Sequence, residues 1–215
     1  MSRATHVNGT ATIATVTDME PMLRQLVVQH KTDNGLPAHC SDAELQAAAS
    51  RFVSDFDQSR AEYLVEAKRQ IAQGLMDGVS LAGMELTRDH LLFISSTTFR
   101  FDDVNKLKAI VFTQVAGGGD GAALKPFESF RIEQGKGKLV VEGAPPAFGA
   151  ATAAAPAEVL ERNKVSFALE LPLQPVEHNA TQAEGQRLRW EYNLARLSDP
   201  GQQPPVMRAT FSTAQ

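Results

Sequence analysis

The chain of 215 residues has one cysteine and one tryptophan. A lone Cys40 excludes an internal disulfide and any thiolate cluster around a metal. The five histidines (His6, His30, His39, His90 and His178) form neither His-x-His nor His-Glu-x-x-His, so no spacing builds a metal site. Gly-x-Ser-x-Gly is absent. The run Gly117–Gly121 lacks both the Gly-Lys-Ser/Thr of a phosphate loop and the strand–Gly-x-Gly-x-x-Gly–helix setting of a dinucleotide site. It reads as a linker loop, and no cofactor or catalytic residue is assigned. The chain lacks the run of about 18 apolar residues that a transmembrane helix needs. A formal net charge of −4 argues against a nucleic-acid partner held by bulk attraction. No leader is visible, because Met1-Ser-Arg-Ala-Thr-His runs straight into polar, strand-like sequence. Two expectations follow: a cytoplasmic protein, or a mature segment without its export signal.

What is present begins with residues 165–194. Val165, Phe167, Leu169 and Leu171 share one face, opposite Ser166 and Glu170. Leu188, Trp190, Tyr192 and Leu194 share another, opposite Arg187, Arg189, Glu191 and Asn193. Strict alternation marks strands with one wet face. Hydrophobic residues at 43% and charged residues at 21% lie in the ordinary globular range, so one domain, 1–215, with a sizeable core is expected.

Residues 5–16 alternate as a strand. Thr17–Glu20 is a capping box ahead of a short helix to His30, and Ser41–Glu44 is a second ahead of the apolar stripe Leu45, Ala48, Ala49, Phe52 and Phe56. Ser59–Glu62 is a third, predicting a break near Asp55–Gln58, with Leu64, Ala67, Ile71 and Leu75 on the next stripe; the helical insertion spans about 41–76. Val79–Leu86 and His90–Phe101 read as strands, 102–110 as one or two capped helical turns with Val104 and Leu107 inward, and Val111–Val115 as a short strand. Gln134–Gly137 joins a hairpin of 127–133 and 138–142. Residues 143–163 read as a flexible loop, helical from about Pro156 to Arg162. Residues 198–205 form a turn before a last strand, 206–211. The sum is an α+β domain: a curved, mostly antiparallel sheet of about seven or eight strands, with two or three helices inserted in the N-terminal third.

Phe99, Phe101, Trp190 and Tyr192 are the candidate ligand-binding residues, and the same pattern equally describes plain core. His39-Cys40 could supply a thiol beside a helix N-terminus, although adjacent side chains rarely aim at each other. Asp102-Asp103, at the head of a helical turn, read as a cap and a dipole partner. Asn8 and Asn179 begin glycosylation sequons, which occur readily by chance.

The order Leu171-Pro172, then Val176, Asn179-Ala180, a Gly-containing turn, and Leu188 and Trp190 resembles the C-terminal signature of the LppM-like bacterial lipoproteins. Phe99–Leu107 and the 127–142 hairpin stand in a compatible order, so the resemblance covers roughly residues 79–212. It implies a cell-envelope protein, tethered by a lipid on an N-terminal Cys, whose soluble domain contacts lipids or envelope partners; it supplies no catalytic residues. This chain departs from the pattern in having no lipobox Cys and a longer helical region at 41–76. The expected function is a non-enzymatic, membrane-associated envelope domain binding a lipid, an apolar ligand or a protein partner, with the concave sheet face and the helices at 18–30 and 41–76 forming the site. Two alternatives stand beside it: an enzyme using Cys40, His39 and Asp102, or an assembly protein pairing through strand edges such as 206–211.

Overall fold

The computed structural model describes residues 6–112, 127–145, 157–198 and 205–213. The elements are β1 (Gly9–Asp18), α1 (Glu20–Asp33), α2 (Asp42–Gln73), β2 (Val79–Asp89), β3 (Leu92–Phe101), a 3-10 turn (Val104–Lys106), α3 (Leu107–Phe112), β4 (Ser129–Gly135), β5 (Lys138–Ala144), α4 (Ala157–Arg162), β6 (Lys164–Glu170), β7 (Pro175–His178), β8 (Gln182–Glu184), β9 (Arg187–Asn193), α5 (Leu194–Ser198) and β10 (Met207–Ser212). The fold is α+β and its strands pair antiparallel. Among the described residues they make two sheets, one in the order β2-β3-β1-β6-β9-β8 and one in the order β4-β5-β10-β7. The ten strands among the described residues exceed the expected seven or eight, because short β7 and β8 fall in sequence too brief to show alternation.

Alternation dictates the core of the larger sheet. Leu81, Phe99, Ala11, Leu169 and Leu188 stand in register across one row, and Met84, Thr97, Ile13, Phe167 and Trp190 across the next. Apart from Leu81, each is buried. The smaller sheet closes over this face: the rings of Phe127 and Phe130 lie 5.0 and 6.2 Å from Phe167, whose other neighbour is Trp190 at 6.3 Å. Ala67 and Ile71 from the end of α2 join the same core. The opposite face is polar, with Thr12 bonded to Thr98 and Lys164 paired with Glu191.

Several local expectations need correction. α2 is a single helix of 32 residues, with no break at Asp55–Gln58. The Ser59 hydroxyl donates back to the Asp55 carbonyl, which lets a Ser sit mid-helix, so its Glu three residues on closes no box. The Thr17–Glu20 box does not form either. Thr17 stays in β1 opposite Phe93, and the Asp18 carboxylate accepts the Glu20 N–H in its place at 3.0 Å. Ser41–Glu44 does form a reciprocal box. Val111 and Phe112 belong to α3 rather than to a strand. Residues 113–115, Gly117–Gly121, 146–156 and 199–204 lie outside the described residues. The strand expected at 206–211 is β10, but it sits between β5 and β7 and offers no edge.

The hairpin at 127–142 follows its turn chemistry. Lys136 and Gly137 both have positive φ (51° and 75°), the backbone of a two-residue turn whose twist matches its strands.

Candidate functional site

Of the four aromatic candidates, Phe99, Phe101 and Trp190 are at most 1% exposed and Tyr192 is 7% exposed. All four belong to the one core cluster. Phe101 also borders an open cleft, with Gly9, Gly78, Val79 and Arg100. Trp190 and Tyr192 alternate along β9 on the core face. The Tyr192 phenol is pushed up to about 12 by burial, with Arg196 opposing, so it stays a neutral donor at physiological pH.

Two of the residues on which the resemblance rests, Asn179 and Trp190, meet in one knot. Asn179 follows β7, and its Oδ1 accepts from the Trp190 indole N–H at 2.9 Å and from the Arg208 backbone N–H at 2.8 Å. Its amide donates to the Val206 carbonyl at 2.7 Å, and its own N–H donates to the Arg208 carbonyl at 3.1 Å. One asparagine therefore ties β9 of the larger sheet to β7 and β10 of the smaller. A buried indole N–H needs such a partner. This is joinery, and it gives a physical reason for an Asn shortly before a tryptophan strand.

The alternative trio does not assemble. Cys40 precedes the N-cap of α2, whereas Asp102 bonds through its N–H to Gly78, just past the far end of that helix. A helix of 32 residues is about 48 Å long, so Cys40 and Asp102 stand at opposite ends of the molecule. Asp102 is occupied by Lys106 at 2.7 Å, and Asp103 caps the following turn through Asn105 at 2.8 Å. His39 is exposed. Among the described residues no three His, Cys, Asp or Glu side chains gather to hold a metal ion, and no helix is long and apolar enough to cross a membrane.

What remains is a partly covered apolar region that periodicity could not separate from core. The third row of the larger sheet's inner face is Leu86, Ser95, Thr15, Val165 and Tyr192. Except for Tyr192 its members are half-buried, where in the two preceding rows only Leu81 is. Phe93 lies one step further along β3, and the rings of Phe52 and Phe56 meet it edge-on at 5.3 and 4.5 Å. Arg88 pairs with Asp57 at 2.6 Å beside them and pins α2 to the sheet there. Towards its N-terminus, α2 leans on α1 instead. Leu45, Ala48, Ala49, Phe52, Val53, Phe56 and Leu64 keep core spacing, yet none is buried; the first buried residue of α2 is Ala67. On α1, Met22 and Leu26 are exposed, and only Leu23 is buried. The two helices thus form an apolar arm that meets the sheet at β2 and at Phe93 of β3, next to the open row. From Phe93 on β3 to Tyr192 on β9 the strip crosses three strand spacings, about 14 Å. Thr97, with a hydroxyl that is buried and unpartnered, borders it.

Comparison with protein-family models, with curated proteins and with solved structures finds no match to this chain.

Proposed function

We propose that this chain is a non-enzymatic cell-envelope domain that binds a lipid or similar apolar ligand between the α1–α2 arm and the open row of the larger sheet. The observation that carries the reading is the arm itself. Seven apolar residues of α2 repeat at the spacing of a core helix and remain only half covered. Exposing that much apolar surface costs stability unless something else occupies it, at roughly 25 cal/mol per Å². The groove would be lined by Phe52, Phe56, Phe93, Leu86 and Val165, with the Tyr192 hydroxyl and Arg196 at one end as partners for a polar head. The LppM-like order of Leu171, Asn179 and Trp190 supports the envelope setting, and anchoring through a lipid would suit it. On this reading Phe99, Phe101 and Trp190 are the scaffold, and Tyr192 is the one sequence-predicted residue at the ligand.

Native mass spectrometry of the purified protein, before and after mild organic extraction, tests the proposal. An adduct of lipid mass that extraction removes is expected, and it should be lost in Phe56→Asp. A bare monomer mass under conditions that preserve lipid adducts of a control protein would overturn it. An envelope protein partner docking on the arm is the second reading. The exposure of Met22 and Leu26 on its outer side favours that version.

A further inference from the structure

The four sheet edges are unlike one another. β2 is flanked by α2 and carries a bulge between Leu81 and Gly83. β8 has three residues. β7 has four, starts with Pro175, and shifts register against β10. Short strands, prolines, bulges and covering helices are the devices that keep an edge from pairing with another chain. β4 has no proline and no bulge against β5, and among the described helices only the short α3 touches it. Its seven residues keep unbroken register with β5, and among the described residues no strand lies beyond it.

The direction of its peptide groups follows from the turn. In a hairpin closed by Lys136-Gly137, Gly135 and Lys138 are the hydrogen-bonded pair. Alternate residues back along β4 (Glu133, Arg131, Ser129) therefore bond to β5, and the N–H and C=O of Ile132 point outward. On the outer face, Arg131 stands in register with Glu142, and Glu142 pairs with Arg208 at 2.6 Å. Arg131 and Glu133 also pair with each other along the strand.

We propose that the chain self-associates through β4, two copies joining their smaller sheets into one antiparallel sheet about a two-fold axis at Ile132. The sequence Arg131-Ile132-Glu133 is self-complementary about that axis. Ile132 faces Ile132 and makes both outward hydrogen bonds, and Arg131 of each copy faces Glu133 of the other. Pairs at such non-hydrogen-bonded positions bring Cβ atoms to about 5 Å. The row Arg208–Glu142–Arg131 then continues into the second copy with a negative charge, which keeps the alternation of sign. A surface patch that matches itself is what a two-fold interface requires.

The test is a set of charge reversals read by sedimentation velocity over a concentration series. The parent should move from the monomer mass of 23.3 kDa towards twice that value as concentration rises. Arg131→Glu and Glu133→Arg each set like charges opposite one another twice, and each should weaken self-association by about tenfold or more. The double reversal, and an equimolar mixture of the two single variants, should restore it, since opposite charges then face across the axis. Restoration on mixing also shows that the single variants are folded. A parent that stays monomeric to millimolar concentration would overturn the proposal, and so would single variants that associate as well as the parent.

Discussion

Replacing Asn179 with Ala should loosen the join between the two sheets without touching the apolar core. Three side-chain hydrogen bonds disappear: from the Trp190 indole, from the Arg208 N–H, and to the Val206 carbonyl. The latter two lie at the surface, where water replaces them at little cost. The indole belongs to a side chain 1% exposed, so its N–H loses its acceptor. An unpaired buried donor costs about 1–3 kcal/mol and each surface bond adds about 0.5 kcal/mol, for a total of about 2–4 kcal/mol. In a chain of this length that lowers the melting temperature by about 5–12 °C. Trp190 is the only tryptophan, so its fluorescence reports both the unfolding curve and the local change. The emission of Asn179→Ala should shift while the urea m-value holds. Trp190→Phe keeps most of the ring and removes the donor. A double-mutant cycle with Asn179→Ala, followed by circular dichroism, should give a coupling of about 1 kcal/mol. An Asn179→Ala protein within about 0.5 kcal/mol of the parent, with unshifted emission, would refute the assignment of this residue as the knot.

Phe93→Ala removes the ring on which Phe52 and Phe56 rest; it should cost about 3–4 kcal/mol and raise amide hydrogen exchange in residues 42–56 far more than in β6 or β9. Gly78 has φ +77°, and a Cβ there would lie 1.9 Å from the Lys106 amine and 2.2 Å from the Asp102 carboxylate. Gly78→Ala should therefore cost about 1–2 kcal/mol in urea unfolding, mainly from the left-handed backbone, and that loss should persist when Lys106 is also replaced by Ala. Glu44 is held down to about 2 by hydrogen bonds from Lys31 and then Ser41, and Glu66 to about 2 by Arg69 and then Gln70. Folded values below the ordinary 4.5 mean that these carboxylates support the fold above pH 4.5 and withdraw that support as pH falls towards 2. Glu44→Gln combined with Glu66→Gln should flatten the decline of the unfolding midpoint across that window.

Sequence made the large central strands legible because their alternation is long and uninterrupted. The inward sets Phe167/Leu169 and Leu188/Trp190 occupy the face they were read to occupy. Ser41–Glu44 was legible as a cap because a loop precedes it. Ser59–Glu62 has the same pattern inside a helix, where the hydroxyl finds the Asp55 carbonyl; pattern alone cannot separate the two cases. β7 and β8, at four and three residues, are shorter than any alternation that could reveal them. Asn179 looked like a chance sequon because its partners, Trp190 and Arg208, lie 11 and 29 residues away and meet only in the fold. The candidate site was hidden for a related reason. Phe52 and Phe56 have the spacing of core residues, and only tertiary packing decides that their stretch of helix stays half covered.

The most direct measurement is labelling with a photoactivatable fatty acid, followed by peptide mapping of the purified protein. Saturable labelling concentrated on residues 42–56 and around Phe93, suppressed by unlabelled fatty acid and by Phe56→Asp, is the predicted result. Labelling that does not saturate, or that falls elsewhere and ignores the substitution, would contradict the arm as the ligand site.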